Sequence, residues 1–149
     1  MDKKVNELVN RYCRLRDRQY AVYHEYAKSK GISTYELFVL DILWFGDGTI
    51  TQKDICLRLS INKQTVGAII TKFQKQGYIE FKKSEGDARN KIVVLTDEGE
   101  KYAEGIIPIA ALAENIAMDR LGLKKLEQLV DMTLELTKNM EDEFRNIEE

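Results

Sequence analysis

TQKDICLRLSINKQTVGAIITKFQKQ, residues Thr51 to Gln76, organises the rest of the chain. Val66, Ile69, Ile70 and Phe73 recur at steps of three and four, the period of one buried helix face. The opposite side of that helix offers Lys63, Gln64, Gly67, Thr71 and Lys72, with Lys75 one turn further on. Thr51 is placed to cap a shorter helix, Gln52 to Leu59, that turns Ile55 and Leu59 inward with Cys56 near them. Ser60-Ile61-Asn62 is the turn between the two, with Ile61 as an apolar plug and Asn62 as the N-cap of the second helix. Two short helices joined in this way form a helix-turn-helix, in which the first braces the second. A helix that is apolar on one side and bears lysines, amides and hydroxyls on the other suits a DNA major groove. An ordinary amphipathic surface helix has the same period, so the flanking segments decide between the two. Gly67 in mid-helix costs about 1 kcal/mol relative to alanine, which predicts a close approach by a neighbouring helix or by a DNA backbone.

Upstream, the apolar residues Val5, Leu8, Val9, Tyr12, Leu15, Val22, Tyr23 and Tyr26 mark a long amphipathic helix from about Lys4 to Ser29, closed at Gly31. Its other face carries Arg11, Arg14, Arg16 and Arg18, the pattern of a solvated charged surface. Ser33-Thr34-Tyr35-Glu36 has the form of a capping box and opens a helix, Tyr35 to Phe45, apolar almost all round and therefore central. After Gly46-Asp47-Gly48, Ile50 can supply a short strand. Downstream, Gly77 ends the second helix of the pair, and Tyr78–Lys83 alternates apolar and polar as a half-buried strand does. A polar turn, residues 84–90, leads to a returning strand at Lys91–Leu95. A basic hairpin directly after a helix-turn-helix is the wing of a winged helix.

Thr96 then caps a helix with Asp97 and Glu98 in its first turn, where the helix dipole favours acids. Pro108 must kink or split that helix. Beyond Gly122 a last helix, about Lys124 to Ile147, carries a long stripe of Leu126, Leu129, Val130, Leu136, Met140, Phe144 and Ile147. A winged helix of about 50 residues does not need two long terminal helices for its own core. The expectation is a homodimer whose interface uses both termini. The whole reads as a mainly α fold with a small β-hairpin: one domain over 1–149, dimerisation helices at 1–31 and 97–149, and a winged-helix DNA-binding lobe at 33–96.

Composition narrows the function classes. The chain has 149 residues, 44% hydrophobic and 32% charged, with nine glycines and one proline, as in a folded protein with many exposed helix faces. Its net charge of −2 is unevenly spread. Residues 1–50 carry 8 basic and 7 acidic side chains, residues 51–91 carry 9 and 4, and residues 92–149 carry 6 and 14. The local charges are therefore +1, +5 and −8, a basic centre beside an acidic end that should point away from DNA. No apolar run resembles a signal peptide or a membrane span, so the expected location is the cytoplasm, with no membrane partner. Cys13 and Cys56 suit neither a disulfide framework nor a metal site, and His24 is the single histidine. With no nucleophile–base pair, phosphate-cradling loop or metal spacing, no catalytic or metal residue is assigned and an enzyme is not expected.

The order of elements resembles the MarR family of bacterial transcriptional regulators over nearly the whole chain. Leu59-Ser60-Ile61-Asn62-Lys63-Gln64-Thr65-Val66 looks like the family's turn into the recognition helix, and Lys75-Gln76-Gly77-Tyr78-Ile79 like its exit. Asp87-Ala88-Arg89 and Val94-Leu95-Thr96-Asp97-Glu98-Gly99 look like the wing tip and the segment that leaves the wing. The resemblance implies a dimer with recognition helices in successive major grooves of a palindromic site, and a wing-tip arginine in the minor groove. Arg89 takes that position, with Asp87 as its support. Many members have an arginine a few residues into the recognition helix, where this chain has Gly67 and Ala68. Base reading then falls to Gln64 for adenine, Thr65 for a phosphate or thymine methyl, and Lys63 and Lys72 for phosphate or guanine, with Thr71 beside them. Thr51, Gln52, Lys75, Lys82, Lys83 and Lys91 complete the expected DNA-binding set.

Members commonly sense small aromatic anions, and Tyr12, Tyr23, His24 and Trp44 are the candidates to line such a crevice, although aromatic residues at this spacing also make plain core. No cofactor is required, and the effector is unidentified. Two other readings stay open: a winged helix that docks a protein partner, and a thiol-based redox sensor using Cys13 between Arg11 and Arg14.

Overall fold

The computed structural model describes residues 2–83 and 91–148. Its elements follow in the order α1 (Lys3–Ser29), α2 (Thr34–Trp44), α3 (Gln52–Leu59), α4 (Lys63–Lys75), β1 (Ile79–Lys83), β2 (Lys91–Leu95), α5 (Asp97–Glu104), α6 (Ile107–Asp119) and α7 (Leu123–Glu148). This is the mainly α winged-helix architecture expected from the sequence.

Local chemistry sets most of the boundaries. Asp2 caps α1 by accepting from the Lys4 amide at 2.8 Å. Ser33 and Glu36 form a reciprocal capping box at the start of α2, with bonds of 3.1 and 2.9 Å. α4 ends in a Schellman turn: the Tyr78 amide donates to the Phe73 carbonyl at 2.9 Å, the Gly77 amide to Gln74 at 3.0 Å, and Gly77 has φ +78°. Pro108 splits the helix at which it was expected to act. α5 stops at Glu104, and Pro108 falls in the first turn of α6, where its missing amide costs nothing.

The chain forms two compact units, Met1–Ile109 and Ala110–Glu149. In the first, α2 is the central element, with Leu37, Val39, Leu40, Ile42 and Leu43 all buried. Around it pack Ala27 of α1, Ile55 of α3, the Val66–Ile69–Ile70–Phe73 face of α4, Ile79 and Val93 of the wing, and Ala103, Ile106 and Ile107. β1 and β2 pair antiparallel from Ile79–Leu95 to Lys83–Lys91, and Thr51 bridges to Ile92, so the segment before α3 joins the sheet edge. Gly99 is the tightest joint: a Cβ there would stand 1.9 Å from the Tyr78 carbonyl oxygen. Only glycine lets α5 lie this close to the backbone of the residue that precedes β1.

In the second unit, the rest of α6 turns through Gly122, at φ +77°, into α7. None of the side chains described in this unit is buried. The α7 stripe is intact but bare, with Val130 at 59% and Phe144 at 65% exposure. The N-terminal half of α1 is similar, since Val5, Leu8, Val9, Tyr12 and Leu15 are all exposed.

Candidate nucleic-acid interface

α4 is held from beneath and from its start. Its four large apolar residues are buried, and the Asn62 side chain accepts from the Thr65 amide at 2.8 Å. Gln64, Thr71 and Lys75 are exposed on the outward side, Lys63 is exposed at the first turn, and Thr65 is half-buried on a flank. Gly67 lies beside α3: a Cβ there would meet Gln52 Nε2 at 3.2 Å. The close approach expected at Gly67 therefore comes from a helix side chain. The Gln52 amide also donates to the Lys63 carbonyl at 3.1 Å, tying the start of α3 to the start of α4.

Thr51 and Lys72, like Gln52, are expected contact residues that are engaged within the protein. The Thr51 hydroxyl bonds Asp54 Oδ2 at 2.6 Å and accepts from the Asp54 amide, completing a capping box on α3. The hydroxyl and then the amide of Thr51 hold the Asp54 carboxyl below the usual carboxylate range. Lys72 does not point outward with its neighbours. Its ammonium lies 2.7 Å from Glu36 Oε1, a carboxylate only 10% exposed. Its place on the flank of α4, three residues after Ile69, turns the side chain towards α2.

Between α3, the start of α4 and the wing runs a cleft of about 590 Å³ lined by Thr51, Gln52, Lys53, Cys56, Lys63, Phe81 and Lys91. The Lys91 ammonium sits 5.4 Å from the centroid of the Phe81 ring, a cation–π contact that holds one wall. Three lysines around an open cleft make a seat for an anion such as a backbone phosphate. Sequence reading missed Lys53, whose signal was its place in the first turn of α3 beside Thr51. Lys82 and Lys83 are exposed on β1, with Lys82 only 4.0 Å from Glu80 in a solvated pair. Arg89 and Asp87 lie outside the described residues.

The candidate crevice residues have separate surroundings. Tyr23 packs edge-on against Phe38 with centroids 5.6 Å apart, and His24 Nδ1 lies 3.3 Å from the Thr34 hydroxyl. Tyr12 is exposed on α1, while Trp44 lines a different cleft of about 460 Å³ with Lys82 and Glu100. Cys13 and Cys56 are both free and half-buried.

Residues 30–90, which hold α2, α3, α4 and β1, match the MarR family model. Over those residues the chain is similar to the MarR family. Among similar proteins is the uncharacterized HTH-type transcriptional regulator YkoM of Bacillus subtilis (strain 168), 29% identical over 104 residues. That match covers 70% of this chain and 67% of YkoM. AbsC, a MarR family transcriptional regulator from Streptomyces coelicolor, matches with a TM-score of 0.79 at 14% identity, over 95% of this chain and 97% of AbsC. The MepR protein of S. aureus, solved as a DNA complex, matches with a TM-score of 0.66 at 21% identity, over 88% and 94% of the two chains. At such identities the likeness speaks for the fold. Within this winged-helix fold, α4 is the second helix of the helix-turn-helix and β1–β2 is the wing.

Proposed function

We propose that this chain is a MarR-family, homodimeric, sequence-specific double-stranded DNA-binding regulator of transcription, acting in the cytoplasm as a repressor on a palindromic operator. One observation carries the reading most directly. A helix anchored on its apolar face presents Lys63, Gln64, Thr71 and Lys75 outward, beside a cleft walled by Lys53, Lys63 and Lys91. That arrangement fits base edges in the major groove with a backbone phosphate in the adjoining cleft. MepR, with the same fold, has been captured on DNA, which supports placing a duplex here. Gln64 is the residue suited to adenine, and Lys63 and Lys75 to phosphate or guanine. Arg89 is assigned to the minor groove beyond the wing.

What the terminal helices leave bare supports the dimer. Stripes of Leu, Val, Met and Phe on α7, with Val5, Leu8, Val9 and Leu15 on α1, form more apolar surface than a monomer ordinarily exposes. A second copy would cover it through a two-fold interface. A small aromatic anion is the proposed effector class, released operator its consequence. Selection of bound duplexes from a random pool tests the reading: enrichment of a two-fold symmetric sequence supports it, and no enrichment contradicts it.

A further inference from the structure

Among the described residues, Glu36 is the one acidic side chain in the buried set. A buried carboxylate is costly unless its oxygens are satisfied. Here Oε2 accepts from the Ser33 amide at 2.9 Å, and Oε1 accepts from Lys72 Nζ at 2.7 Å. The first bond is the return arm of the capping box, which a neutral glutamine serves equally well. The negative charge therefore exceeds what the cap requires, and its partner is Lys72, 36 residues away on α4.

Burial of Val66, Ile69, Ile70 and Phe73 sets which face of α4 turns inward, and because apolar packing itself is non-directional, small rotations about that setting are left to directional bonds. A short charge-assisted bond from one flank is directional. It ties α4 to the first turn of α2, the same turn in which Thr34 meets His24 of α1. Rotation of α4 about its axis decides where Gln64 and Thr71 point, because both lie on the outward side of the same rigid rod. We infer that Glu36 is a positioning residue for DNA readout, acting through Lys72 to set the rotation of α4 and hence the preference for a specific sequence. The inference rests on the DNA-binding reading above. Lys72 is then an internal tether, and neither member of the pair touches DNA.

The test is a double-mutant cycle with Glu36→Gln and Lys72→Gln in the full chain. Each variant is titrated against the duplex that the wild type selects from a random pool, and against a random duplex of equal length. Each single variant is expected to lose about tenfold in affinity for the selected duplex. Affinity for the random duplex and its salt slope should hardly move, and the double variant should bind no more weakly than the weaker single. A purely structural pair would lower the melting temperature and leave the selected-to-random ratio unchanged, which overturns the inference. Equal losses on both duplexes in Lys72→Gln, with a salt slope shallower by about one, would make Lys72 a phosphate contact and also overturn it. Additive losses would do the same. Lys72 is half-exposed and its replacement leaves the capping box intact, so this variant carries the test should Glu36→Gln fail to fold. A wild type that binds neither duplex overturns the DNA-binding reading itself, and with it the inference.

Discussion

The two compact units use similar helices to opposite ends. In Met1–Ile109, the end of α1, α2, α3, α4, the wing, α5 and the start of α6 bury a continuous set of side chains from Ala27 to Ile107. In Ala110–Glu149, α7 carries an equally regular apolar stripe with none of its described side chains buried. Period alone thus marks a face without saying what covers it. In the first unit the cover is the chain itself. In the second, a second copy is the proposed cover, and the same contrast separates residues that govern folding from residues that govern assembly.

The largest effect should come from the joint inside the first unit. Gly99→Ala would drive a methyl into the Tyr78 carbonyl, where backbone on both sides has nowhere to move. Overpacking of this kind costs on the order of 3 kcal/mol or more, read as a lowered midpoint in urea. A wild-type midpoint in this variant would mean that α5 does not lie against the wing. Next in size, Leu129→Lys with Leu136→Lys on α7 should weaken self-association by about a hundredfold in sedimentation, roughly 2.7 kcal/mol. These residues are exposed in the single chain, so a lone protomer would tolerate the lysines without loss of helix signal. Unchanged association would remove α7 from the interface.

On the DNA side, Arg89→Ala should lower affinity about tenfold and more than Lys82→Ala, as a narrow minor groove holds arginine strongly while an exposed strand lysine adds only a screened charge. Equal losses at matched salt would end the special role of the wing tip. The smallest change is local. Ser60, the C-cap of α3, has φ +52° and is the one non-glycine with positive φ among the described residues. Ser60→Gly should relieve that conformation and raise stability by about 1 kcal/mol, seen as a melting temperature a few degrees higher. No gain would show that the Ser60 side chain offsets the strain.

Much of this fold is legible in sequence because its rules are short-range. Ser33–Glu36, Thr96 with Gly99 and the Asn62 cap each involve residues three apart, and the structure has all three bonds. The buried face of α4 and the all-round burial of α2 follow from period and composition in the same way. What escapes is set by distance along the chain. A lysine on a helix flank reads alike whether it faces water, DNA or a carboxylate 36 residues away, so the pairing of Lys72 with Glu36 is not legible in the sequence. Thr51 was read both as a cap and as a contact, and Asp54 takes its hydroxyl. Gly99 could be recognised as part of a motif, but its physical reason, the carbonyl of Tyr78, appears only when α5 is laid against the backbone just before β1. Lys53 went unassigned because a cleft is formed by three elements and no one of them announces it.

The central claim is that the α4 face and its lysine-walled cleft bind duplex DNA. The most direct measurement is the affinity for a random-sequence duplex as a function of salt, from low to physiological ionic strength. If the lysines of both protomers neutralise phosphates, the logarithm of affinity should fall linearly with the logarithm of salt, with a slope on the order of −5 or steeper. An affinity that is undetectable at low salt, or that does not change with salt, would contradict the claim.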